Sequence, residues 1–148
     1  MLTQFSYPII CTEKFKDTVN YYEDHLGFVP QFEIFQNFVI LKRDTYADVF
    51  IAIVDAHSQE IPQEYRRKSS GIILNFPVED VQKTYDEFYI EGLEVLNEPK
   101  VSICGRKHFF VVDPNGILID VAENVPLSET VPPEKEDMIS VSLAVATG

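Results

Sequence analysis

The sequence predicts an α+β fold: two βαβββ repeats pairing into a cupped mixed sheet, followed by a C-terminal arm. Three observations carry that expectation. Two stretches share one order of patterns, first strand-like and then helical: YPIICTEKFKDTVNYYEDHLGF at 7–28 and ILNFPVEDVQKTYDEFYIEGL at 73–93. Their helical stripes coincide at a constant offset of 66 residues, with Phe15, Val19 and Tyr22 answering to Val81, Tyr85 and Phe88. Each helical stretch is then followed by three apolar, strand-like runs.

The elements follow in chain order. YPIIC opens as a strand. The next stripe, Phe15, Val19, Tyr22 and Leu26, has helical spacing, and Gly27 suits the left-handed residue that ends a helix. FVPQFEIF, NFVILKR and DVFIAIVDA are the strands that complete a first half over residues 1–57. A polar stretch containing Pro62 reads as a linker over 58–70, and its basic cluster Arg66 to Lys68 as a solvated face. The second half covers 71–124. Its helix carries Val81, Tyr85 and Phe88 and stops at Gly92. LEVLNEP, KHFFVV and ILIDVAEN supply its strands. Asp113-Pro114-Asn115-Gly116 is a tight turn: Pro fixes φ at the second position and Gly accepts positive φ at the fourth. Residues 125–148 are an acidic, Pro-rich arm ending in MISVSLAVA, which is β-prone and suited to extending a sheet edge. Neither half buries its sheet alone, so the two are expected to pair.

Composition bounds the function. The 148 residues are 45% hydrophobic, enough for a sizeable core. A net charge of −12 argues against a nucleic-acid partner, because phosphate binding needs clustered Lys and Arg. The N-terminal stretch has neither a basic segment nor a long apolar run, so a cytoplasmic protein without a membrane partner is expected. Cys11 and Cys104 lie in apolar, strand-like contexts without metal-ligand spacing and read as buried thiols.

Two motifs resemble those of a known family. TVNYYEDHLGF at 18–28 is similar to the S-x-x-F-Y-x-x-x-L-G-F signature of the vicinal oxygen chelate superfamily. DPNGILIDVAE at 113–123 is similar to its D-P-x-G-N-x-I-E-L. That superfamily includes glyoxalases, extradiol dioxygenases, fosfomycin-modifying enzymes and bleomycin-resistance proteins. The resemblance covers 7–124. It implies the glyoxalase/bleomycin-resistance fold and a homodimer, with guests held in the sheet cup or in crevices between subunits.

The resemblance also places the metal ligands of the enzymatic relatives on Tyr7, Ile73, a residue near Ile51, and Asp120. Of these, Asp120 alone suits a divalent ion, whereas a catalytic site takes three protein ligands or more. No metal and no cofactor are therefore expected, with a divalent metal as the alternative. Strand alternation sorts the faces. Ile10 and Phe76 turn to the helices. Tyr7, Ile9, Cys11, Ile73 and Asn75 turn to the cup, and Asp120 shares the second face of its strand with Leu118 and Ala122. The candidate ligand-binding residues are Tyr7, Asn75, His108, Phe110 and Asp120; no catalytic residue is assigned. Asp120 reads as a lone cavity acid that contacts a cationic or hydroxylated guest, or else water. His25 reads as a surface or half-buried helix residue and His57 as part of the polar linker.

Three functions remain open on these grounds. The first is a metal-free protein that binds a small organic molecule, with a cationic, antibiotic-like compound as one candidate. The alternative is a metal-dependent glyoxalase-like lyase or isomerase, or a dioxygenase. The third is a module that binds a partner protein.

Overall fold

The computed structural model describes residues 6–43 and 48–123. Within them the expected α+β order is present. The first half runs β1 (Ile9–Thr12), α1 (Phe15–Leu26), β2 (Val29–Ile34), β3 (Phe38–Arg43) and β4 (Val49–Asp55). A short 3-10 turn at Gln63–Tyr65 follows. The second half runs β5 (Ile73–Val78), α2 (Val81–Ile90), β6 (Glu94–Val95), β7 (Lys100–Val101), β8 (Lys107–Val112) and β9 (Leu118–Glu123). The arm at 125–148, with the strand expected in MISVSLAVA, lies outside the described residues.

Both halves close a sheet of the same order. The first is β1-β4-β3-β2 and the second β5-β9-β8-β6, with β7 also on β8. The first and last strands of each half pair in parallel, β1 with β4 and β5 with β9, and the other pairs are antiparallel. A parallel neighbour needs a crossover, which the intervening helix begins. One expectation is refined here. LEVLNEP is not one strand: Pro99 lacks an N–H, and the edge splits into β6 and β7. Across the gap the Asn97 side-chain oxygen accepts the Phe110 N–H at 3.1 Å, in place of a backbone carbonyl.

The helices end where the glycines predict. Gly27 has φ 76° and Gly92 φ 77°, conformations that a side chain disfavours. Asp80 caps α2 by accepting the Lys83 N–H at 3.1 Å. α1 has no such side-chain cap at Lys14. Its hold comes from packing instead: Tyr22 and Leu26 are buried, and Phe15 and Val19 pack against the core. In α2, Val81 and Phe88 are buried and Tyr85 packs edge-on against Phe109.

One core joins the two halves. Tyr22 and Phe28 of the first meet Phe76 of the second, with ring centroids 6.4 and 5.4 Å apart. Arg43 donates to the Pro77 carbonyl at 2.9 Å. Ile10 and Phe76, expected to turn to the helices, are buried, as are Ile117, Ile119 and Val121 on the face of the final strand opposite Asp120. The opposite sheet faces are open: Ile9 is 51% and Ile73 62% exposed. No helix among the described residues is long and apolar enough to cross a membrane.

Candidate functional site

The turn at 113–116 leads into the strand that carries Asp120. The local geometry is as expected: Gly116 has φ 82°, and its N–H closes on the Asp113 carbonyl at 3.1 Å. The Asp113 carboxylate accepts the N–H groups of Asn115 and Ile117 at 2.8 and 2.9 Å and the Tyr22 hydroxyl at 2.8 Å. Asn115 accepts from the Thr12 hydroxyl at 2.6 Å and donates to Thr18 Oγ1 at 3.0 Å. Thr12, Thr18, Asp113 and Asn115 are all buried. The turn therefore bolts the second sheet onto β1 and α1 of the first half. Burial and the neighbouring Asp113 charge push the Tyr22 phenol far above its ordinary pKa.

On the open face of the second sheet Asp120 lies at the centre of a different network. In register, Asn75 of β5 and Phe110 of β8 flank it on the two neighbouring strands. Its Oδ1 pairs with His108 Nδ1 at 2.8 Å. Its Oδ2 accepts Asn75 Nδ2 at 3.2 Å and Arg106 Nη2 at 3.4 Å. A carboxylate can only accept, so His108 Nδ1 carries the hydrogen and Nε2 is left without a protein partner among the described residues. Phe110 packs edge-on against the imidazole, with centroids 5.3 Å apart. The Asp120 side chain keeps 14% of its surface exposed and His108 13%.

Of the five residues selected from sequence, Asn75, His108, Phe110 and Asp120 thus converge. The structure corrects the reading of Asp120 as a lone acid: three side chains hold it. Tyr7 is half-buried on the first half and shares no hydrogen bond with that cluster. Arg106 was missed. It precedes β8 and the KHFFVV run, so strand alternation in the sequence does not reach it.

The remaining histidines and cysteines are elsewhere. His25 Nδ1 meets Glu91 Oε2 at 2.7 Å, joining the ends of α1 and α2. His57 is exposed beside Asp55. Cys11 is half-buried on β1, where burial raises its pKa. Cys104, expected on a strand, instead lies half-exposed in the tight turn between β7 and β8, forced by Gly105 at φ 84°. There the Ser102 hydroxyl, 3.0 Å away, lowers its pKa, and the Arg106 charge adds to the effect. A cleft lined by His25, Gly27, Arg43, Thr84 and Glu87 opens on the helix side. None of the five selected residues lines it.

A metal of the kind the resemblance implies does not fit these side chains. Tyr7 and Ile73 occupy two of the positions. Near the third, Ile51 turns into the core, which gives Phe50 and Ala52 to the open face. Among the described residues no three His, Cys, Asp or Glu side chains are grouped to hold an ion.

Known proteins fall in line with this geometry. The chain is 31% identical over 96 residues to the uncharacterized protein YraH of Bacillus subtilis, an alignment that spans 57% of this chain and 70% of YraH. Its fold is similar to that of a bleomycin resistance determinant encoded on transposon Tn5, at a TM-score of 0.62 and 19% identity. That match covers 84% of this chain and 100% of the other. It is similar as well to a lactoylglutathione lyase from Agrobacterium tumefaciens, at a TM-score of 0.64 and 14% identity, covering 82% and 95%. A family model matches residues 4–121, and the chain belongs to the Glyoxalase/Bleomycin resistance protein/Dioxygenase superfamily.

Proposed function

We propose that the protein binds a small organic molecule on the open face of its second sheet, without a metal ion. Asn75, His108, Phe110 and Asp120 form the floor of that site. One observation carries the reading: a polar cluster converges on an otherwise apolar, solvent-facing sheet, with His108 Nε2 and part of Arg106 left for a guest. A few placed polar groups in an apolar surround are the usual make-up of a small-molecule site. A bleomycin-binding protein solved with bleomycin shares the fold, at a TM-score of 0.59 and 19% identity over 83% of this chain and 100% of that one.

A second copy of the chain supplies the missing wall. The first half opens an apolar face too: Val29, Phe32 and Ile34 of β2 are each more than half exposed. Laid over the second-half face of a neighbour, it covers apolar surface on both. Sedimentation at micromolar concentration tests this, and a protein that stays monomeric overturns the dimer.

The binding reading is tested by a thermal-shift screen of small metabolites, antibiotics and metals. A binder of the native state raises the melting temperature with its concentration. A true guest loses that effect in His108→Ala and Asn75→Ala. Stoichiometric zinc, nickel, manganese or iron surviving dialysis overturns the metal-free reading.

A further inference from the structure

Taking the open face of the second sheet as the binding site, we infer that its guest is an organic anion, held through a carboxylate or phosphate group. The charge of the whole chain, −12, points the other way and favours cations at long range. The local arrangement reverses that preference.

Asp120 is the acid at the centre of the face, and both its oxygens are taken. His108 occupies Oδ1, and Asn75 and Arg106 share Oδ2. A cationic guest has to displace a partner before it reaches this carboxylate. Besides the His108 Nε2 lone pair and the Asn75 carbonyl oxygen, the face keeps charged donors to spare. The Arg106 guanidinium has five N–H donors, and its bond to Asp120 uses one nitrogen, Nη2. Its Nε is shielded and has no acceptor among the described residues. A third of the side chain is still exposed, which gives an incoming acceptor access.

Lys100 adds to this. β7 pairs with β8 so that Lys100 stands opposite His108 and shares its face. It is exposed and makes no ion pair among the described residues.

Among the described residues, the other acids of the second sheet's outer strands lie away from the cluster. Glu94 is opposite Val112, four strand positions from His108, roughly 13 Å at 3.3 Å per residue. Glu98 acts on the Tyr85 phenol, on the helix side. Beside the Phe110 ring, Arg106 and Lys100 set two positive charges against the one negative charge of Asp120, a surplus of one among the described residues. An aromatic or similarly apolar body bearing one anionic group matches it, since Arg binds carboxylate and phosphate with paired N–H groups.

The test is an NMR titration of the full-length protein with four probes of one shape: benzoate, phenyl phosphate, benzyl alcohol and benzylamine. The readouts are the His108 ring and the Asn75 side-chain amide. The expected result is that benzoate and phenyl phosphate shift both signals and benzylamine neither. The tighter of the two anions names the group. Raising ionic strength to about 1 M, where the screening length is about 3 Å, weakens the anions. Arg106→Gln lowers their affinity about tenfold or more, the worth of a charged hydrogen bond. Lys100→Gln, at an exposed position that leaves folding intact, lowers it by roughly threefold.

Asp120→Asn separates the two charge preferences most cleanly. It frees Arg106, so anion affinity holds or rises; were the guest a cation, binding would vanish. Benzylamine or benzyl alcohol binding these residues as tightly as the anions overturns the anion assignment and leaves the site standing. No shift at either residue with any of the four overturns both.

Discussion

Asp113 and Asp120 belong to one short motif, and each has an asparagine among its partners, yet they do opposite work. Asp113 is turned to the helix side and buried. Its oxygens are saturated by two backbone N–H groups and the Tyr22 hydroxyl. Asp120 is turned to the open face, held by three side chains that themselves retain unused hydrogen-bonding capacity. A polar cluster that closes on itself away from water holds the chain together. One that reaches solvent with capacity left over is available to a guest. The difference lies in the direction of the strand's pleat and in whether the partners have capacity left over, not in residue type.

The sharpest way to break this contrast is Asp113→Ala. It strands the Tyr22 hydroxyl and two buried N–H groups, and we expect a loss of about 3 kcal/mol in urea unfolding. A loss below 1 kcal/mol would make the two carboxylates equivalent. Next in size is the alkaline limb of stability. Burial raises the phenol pKa of both Tyr21 and Tyr22 above the ordinary 10. Their contribution is complete below about pH 10. Above it the unfolded chain releases protons that the folded one keeps, so stability falls, by up to about 1.4 kcal/mol per pH unit for each phenol. Tyr22→Phe should halve that slope, read by unfolding at pH 10 to 11.5.

Gly116→Ala, at φ 82° in open space, should cost about 1 kcal/mol through backbone strain alone. The smallest effect belongs to Asp120→Asn. With the site partly open, unfolding free energy should move by less than about 1 kcal/mol, while the His108 ring nitrogen signals change as its Nδ1 partner is altered. Loss of folded protein on that substitution would return Asp120 to a structural role.

Much of this contrast was legible in sequence, and the part that was not has a physical reason. Helix and strand periods are local, so the stripes of α1 and α2 and the alternation that turns Ile10 inward and Asp120 outward could be read residue by residue. The glycine stops and the turn at Asp113 were equally local. Pairings were not. The Tyr22 bond to Asp113 joins residues 91 apart, and that of Thr12 to Asn115 joins residues 103 apart. His108 lies diagonal to Asp120 across the β8–β9 ladder, where Phe110 stands directly opposite. Only the register places the imidazole against the carboxylate. Arg106 escaped notice because it sits at the end of a hairpin whose tightness, through Gly105, no strand pattern reveals.

The split outer strand of the second sheet has a bearing on how the protein behaves in crowded solution. A continuous strand there would offer an unbroken row of backbone N–H and C=O groups to any other chain with a free edge. Pro99 removes a donor, and the Asn97 amide spends itself inward on Phe110, so the row is broken after two residues. The first sheet guards its outer strand by related means, Pro30 and a register shift before Phe32. Neither border is a good template for runaway strand addition. At these two borders edge-to-edge zipping is disfavoured, which leaves the open apolar faces as the surfaces on which copies meet.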